Sequence, residues 1–150
     1  MISLKKKEQG FTIVELLIVI VVIGILALLV ITTFTGIQKK ARDSERETDV
    51  SAVAAQVEAY HAQNAKYPTL ANLQDASWVS ANLKGLDANA LKDPKWSTGS
   101  APTATSSVGS YGYVATPTGC DNTVANGDCD NFELTATKES GGTFVKKTSN

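Results

Sequence analysis

Hydrophobic and polar positions are distributed unevenly along this chain. From Phe11 to Ile37 the side chains are almost all apolar, and the one ionisable group among them is Glu15. At about 1.5 Å rise per residue, a helix over 11–37 is long enough to cross a hydrocarbon core of ~30 Å. From Gln38 to Asp49 the chain turns charged, reading "QKKARDSERETD". Val50, Val53, Ala54, Val57, Tyr60 and His61 then recur at helical spacing, which predicts an amphipathic helix laid over a small head. No proline interrupts 11–65. One continuous helix of roughly 80 Å is therefore expected, apolar throughout its first half and one-faced in its second. The mixed charges of 39–49 read as a solvated face, with lateral contacts between copies as the second reading.

Beyond the helix the period changes. "AKYPTL", residues 65–70, is a stop, because Pro68 disfavours helix at Tyr67. Residues 71–96 read as a connecting region with one or two helical turns, tucking Trp78 and Leu83 or Leu86 onto the head. "STGSAPTATSS", 97–107, is expected to be flexible, since Ser, Thr, Gly and Pro bury little. It offers hydroxyls for O-glycans without requiring them. Three strand-like runs follow. In 110–116 Tyr111, Tyr113 and Ala115 alternate against Gly112 and Val114; in 131–137 Phe132, Leu134 and Ala136 alternate against Glu133 and Thr135. "GTFVKKT", 142–148, comes after the turn "ESGG". The economical fold is α+β: a long N-terminal helix packed on a short antiparallel meander.

Composition narrows the chemistry. The 150 residues suit about one domain, and a net charge of −1 gives no global basic field for nucleic acid. Lys138, Lys146 and Lys147 make at most a small basic patch, read as edge protection and solubility beside Glu133 and Glu139. Cys120 and Cys129 are the two cysteines; in an exported chain they read as one disulfide, and in the cytosol as free thiols. With the one histidine, His61, they are too few for tetrahedral zinc without carboxylate help. His61 is read as packing or surface. The loop they bracket is rich in oxygen donors, so Asp121, Asp128 and Asp130 form a weak calcium alternative to a plain solvated turn. No Ser/His/Asp order, phosphate loop or metal cluster occurs, so neither catalysis nor a cofactor is expected.

The N-terminus poses the sharper problem. Lys5, Lys6 and Lys7 precede the apolar run. The run is too long for a secretory signal of about 7–15 apolar residues and lacks a small-residue cleavage site. A plain signal anchor fits the length but leaves Glu15 unexplained, and a carboxylate deep in a bilayer is expensive. Lysines lie on both sides of the run, so orientation rests on the disulfide: head outside, leader inside. No Lys or Arg stands at 11, 12, 18 or 19, the helical neighbours of Glu15. The one cation that can be made nearby is a new N-terminal amine, produced by a cut before Phe11.

At this point "KKKEQGFTIVELLIVIVVIGILA" resembles the class III signal of the type IV pilins and of the related type II secretion and competence pseudopilins. The resemblance implies that Gly10 ends a cleaved leader and that Phe11 becomes an N-methylated first residue, both steps done by prepilin peptidase. Thr12, Glu15 and Leu16 match the motif's Thr, Glu and Leu. It further implies that the Glu15 carboxylate meets the Phe11 amine of a neighbouring subunit as a helical filament grows, a pair suited to fixing register. The organisation expected is a leader over 1–10, a transmembrane and polymerisation segment over 11–37, the amphipathic half over 38–66, a variable connection over 67–109 and a β-sheet with disulfide loop over 110–150. Where many pilins carry a proline this chain has Thr32, which leaves Gly24 as the expected melting point of the helix in a filament.

The function so implied is a structural type IV pilin, stored in the cytoplasmic membrane as a single-pass precursor. An inner-membrane platform with a cytoplasmic ATPase would lift it into an extracellular pilus serving motility, adhesion or DNA uptake. A secretion or competence pseudopilin is the alternative, and a pilus-borne adhesin or DNA-binding minor pilin the less favoured one.

Overall fold

The structure is a computed structural model that describes residues 10–95, 102–123 and 128–148, with only the backbone of Thr32. The leader before Gly10 and the expectations placed on 96–101 and 124–127 lie outside the described residues. Helix α1 runs Ile13–Asn64, and the chain divides into two compact units, one ending at Gln38 and one beginning at Lys39.

In the first unit the large apolar side chains from Phe11 to Ile37 are exposed. By length and composition this stretch can cross a membrane. The hydroxyl of Thr33 donates to the Leu29 carbonyl at 3.0 Å, so that polar group is satisfied within the helix itself. Gly24 and Gly36 stand in regular helix, with nothing within 4 Å of where a Cβ would be.

In the second unit α1 turns one face inward. Val50, Val53, Ala54 and Val57 are buried, and Tyr60 is nearly so. His61 stacks on Tyr67 with ring centroids 4.1 Å apart, a packing contact. The helix stops at Asn64 because Ala65 takes φ +57° and Pro68 follows. Two short helices come next, α2 (Leu70–Gln74) and α3 (Ala76–Asn82), then a 3₁₀ turn over Ala88–Leu91. Thr69 and Asn72 form a reciprocal capping box on α2, and Asp75 caps α3. Trp78 packs on Tyr60 at 5.1 Å between centroids, and Leu83 is buried.

Strands β1 (Gly112–Thr116), β2 (Asn131–Thr137) and β3 (Thr143–Lys147) form an antiparallel meander in chain order. Tyr113 pairs with Leu134, Ala115 with Phe132 and Ala136 with Phe144, so the inward positions meet across the sheet. Two tyrosine hydroxyls extend from the sheet: Tyr113 donates to the Pro68 carbonyl at 2.7 Å, and Tyr111 to Asp49 Oδ2 at 2.8 Å. The α+β architecture expected from the pattern is the one observed.

Two expectations are corrected. The polar stretch around 102–107 is not loose where it is described. The Thr103 N–H donates to the Tyr111 carbonyl and the Tyr113 N–H to the Thr103 carbonyl, both at 2.8 Å. Ser107 and Ser110 pair reciprocally, and Pro102 is buried. Composition foresaw few side chains to bury. The backbone instead pairs with the free edge of β1, where Gly112 has no side chain to hold it off.

The second correction concerns the charged stretch 39–49. It is not merely a solvated face: Arg46 is fully buried and Asp43 is 5% exposed. Arg46 grips Asp93 through Nε at 2.6 Å and Nη2 at 2.8 Å, and reaches Asp43 at 2.8 Å and Glu139 at 3.1 Å. Arg42 grips Glu139 through Nε and Nη2 at 2.6 and 2.8 Å, and Lys95 reaches it at 3.0 Å. Asp43 also accepts the backbone N–H groups of Glu139 and Ser140, tying the β2–β3 turn to α1. Hydrogen bonding from Arg42, with Lys95 and Arg46, holds the Glu139 carboxyl far below its ordinary range against the opposing effect of burial. Burial would raise Asp43, but hydrogen bonds from Ser140, Glu139 and Arg46 outweigh it and leave it at about 2. No buried side-chain polar atom among the described residues lacks a partner. Lys138 belongs to this region, paired to Glu47 at 3.1 Å, so the three-lysine patch is broken up.

Candidate functional site

The N-terminal end of α1 is built around Thr12 and Glu15. Thr12 precedes the helix and Glu15 lies in its first turn. The Thr12 N–H donates to Glu15 Oε2 at 2.9 Å and the Thr12 hydroxyl donates to the same oxygen at 2.6 Å. In return the Glu15 N–H donates to Thr12 Oγ1 at 3.2 Å. This is a capping box, which satisfies helix N–H groups that otherwise have no partner. Its sequence signal, Thr-x-x-Glu before an apolar run, stands in "TIVE" and was missed by a search for cations alone.

Oε2 takes both donations, and Glu15 makes no ion pair among the described residues. The carboxylate is thus oriented by its own subunit while its second oxygen stays open to a further donor. Leu16 opens the helical ladder by donating its N–H to the Thr12 carbonyl at 3.2 Å. Gly10 and Phe11 are exposed ahead of this box, Phe11 at 86%, so the bond between them is accessible.

In the second unit Cys120 and Cys129 are joined by a disulfide. Cys129 is buried and its carbonyl accepts the Tyr67 N–H at 2.8 Å, which ties the loop to the end of α1. Asn122 donates to Asn72 Oδ1 at 2.7 Å, joining the loop to the cap of α2. Asp121, Asp128 and Asp130 are not gathered as a set of carboxylates. Asp128 lies beside the two cysteines, whose sulfurs are bonded to each other, and it accepts the Asp121 N–H at 2.9 Å. Asp121 accepts from both the N–H and the hydroxyl of Thr123. These oxygens of Asp121 and Asp128 hydrogen-bond within the loop.

Residues 5–31 match the family described as the prokaryotic N-terminal methylation motif. This places Gly10, Phe11, Thr12 and Glu15 inside a prepilin-type signal. The chain is also similar in sequence to pseudopilins and to a pilin. It is 35% identical over 66 residues to type II secretion system core protein G of Dickeya chrysanthemi, covering 44% of this chain and 43% of that one. It is 33% identical over 87 residues to core protein G of Escherichia coli strain K12, covering 58% and 60%. It is 33% identical over 66 residues to the type IV major pilin protein PilA of Myxococcus xanthus, covering 44% and 30%. The chain spans about half the length of the curated core proteins it matches. No solved structure is a significant match. The long helix with its three-stranded antiparallel sheet is consistent with the pilin fold.

Proposed function

We propose that this chain is a structural subunit of a membrane-derived filament. The observation that carries the reading is an exposed apolar helix headed by an oriented carboxylate that makes no ion pair among the described residues. Prepilin peptidase removes the leader after Gly10 and methylates the Phe11 amine. The subunit waits in the cytoplasmic membrane, with lipid covering residues 11–37. An assembly platform with a cytoplasmic ATPase lifts it out, and helices of successive copies bury one another's apolar surface at ~25 cal/mol per Å². The open oxygen of Glu15 then meets the Phe11 amine of a neighbour. The role is structural and not catalytic.

Two finer readings remain. A type IV pilus subunit is favoured by the disulfide-closed loop and by aspartates engaged in turn hydrogen bonds rather than poised for calcium. A secretion pseudopilin is favoured by the relatives, most of which are core protein G. Electron microscopy of shear-released material, with mass spectrometry of the subunit, tests both levels. Filaments whose subunit starts at N-methylated Phe11 are expected; a subunit starting at Met1 would refute the processing. Long surface filaments at native expression select the pilus, and periplasmic material that extends only on overexpression selects the pseudopilus.

A further inference from the structure

A groove beside the C-terminal end of α1 has no part in assembly as described. It holds about 290 Å³ and is lined by Gln56, Tyr60, Gln63 and Asn64 of α1, Asn82 of α3 and Lys84 just beyond. Four carboxamides dominate it, and no carboxylate lines it.

Its hydrogen-bonding groups are unevenly committed. Asn64 and Asn82 use their Nδ2 donors on the helix carbonyls of Tyr60 and Trp78, each at 2.9 Å, leaving the side-chain oxygens as acceptors. Gln56 and Gln63 make no side-chain hydrogen bond among the described residues, and Lys84 makes no ion pair there. Tyr60 lines the groove, and its hydroxyl makes no hydrogen bond among the described residues. The groove therefore presents a set of neutral donors and acceptors, one cation and an aromatic wall.

We propose that this groove binds an acidic oligosaccharide of the uronic-acid type. Sugar hydroxyls donate and accept at many points, which suits free amide oxygens beside a free hydroxyl. The volume lies at the lower end of ligand sites and suits one or two sugar rings. Lys84 supplies the partner for a uronate carboxylate. A polyphosphate backbone is a poor fit, since its binding rests on several cations together and the groove has one.

The experiment titrates the full chain, in a detergent without a sugar headgroup, with a uronic-acid oligosaccharide and with the neutral oligosaccharide of the same length. The uronide is expected to bind about tenfold more tightly, as one charge-assisted hydrogen bond dictates. Lys84→Gln should remove that tenfold preference and leave neutral binding alone, while Gln63→Ala should weaken both ligands about threefold. Both positions are exposed, and unchanged thermal unfolding of the variants confirms that the fold is kept. No uronide binding, equal affinity for the two oligosaccharides, or uronide affinity unchanged by Lys84→Gln would each overturn the proposal. These outcomes leave filament formation unaffected, so they are separable from the assembly reading.

Discussion

A carboxylate in an apolar helix needs donors, and Glu15 finds its first ones one turn back. Thr12 gives it two, both to Oε2. This separates two roles that the sequence merges, capping and charge. Glu15→Gln preserves a capping box, because Gln also serves at that position, and removes the charge. Glu15→Ala removes both. If the charge pairs with a neighbour's amine, both variants are still cleaved and neither assembles, by mass spectrometry and filament yield; normal filaments from Glu15→Gln would leave capping as the whole role. A second residue acts through having no side chain. At Gly112 a Cβ would stand 2.5 Å from the Ser106 backbone N and 3.1 Å from the Thr105 carbonyl carbon. Gly112→Ala is expected to lower stability by about 1–3 kcal/mol, read as a drop in the thermal unfolding midpoint, because backbone and not a flexible side chain must move.

Between elements, the decisive contacts are ionic. Arg46 stands at the meeting point of α1, the segment around Asp93 and the β2–β3 turn. Arg46→Met leaves Asp43, Asp93 and Glu139 buried with less compensation, at a cost of ~3–5 kcal/mol by chemical denaturation. The same network sets an acid limit. Glu139 and Asp43 have folded-state pKa values below their ordinary ones, Asp43 at about 2 against 3.8. A depressed carboxylate binds protons more readily unfolded than folded. Its stabilisation is thus full above the ordinary value and is lost as pH falls through the folded one. Unfolding midpoints should be flat above pH ~5 and fall from about 4 toward 2, and Arg46→Met should flatten that slope. The core face of α1 was legible from Val50, Val53 and Val57 because helical period is local. Arg46–Asp93 and Arg42–Glu139 were not, since their partners lie 47 and 97 positions away.

For the molecule as a whole, the disulfide closes the loop between β1 and β2 and holds it against the end of α1. Replacing Cys120 and Cys129 by Ser frees a short loop in the unfolded chain, at about 2–3 kcal/mol. Peptide mapping without reductant should find the two joined in the native protein, and calorimetry should show the double variant melting earlier. Because the Cys129 carbonyl accepts the Tyr67 N–H, loosening should appear first as faster amide exchange near Tyr67.

By itself the sequence determined whatever depends on neighbours along the chain. An apolar run, the lysines and Gly10 ahead of it, a helical period from Val50 to Tyr60 and alternation in two strands all declare themselves over a few residues. Tertiary structure alone decided which charges are buried and where the Ser/Thr-rich stretch goes. Lys39–Asp49 reads as a polar face until Asp93 and Glu139 are brought to it. The stretch at 102–107 reads as slack until its backbone meets the edge of β1. Both outcomes rest on groups distant in sequence satisfying one another's hydrogen bonds, and composition carries no record of that distance.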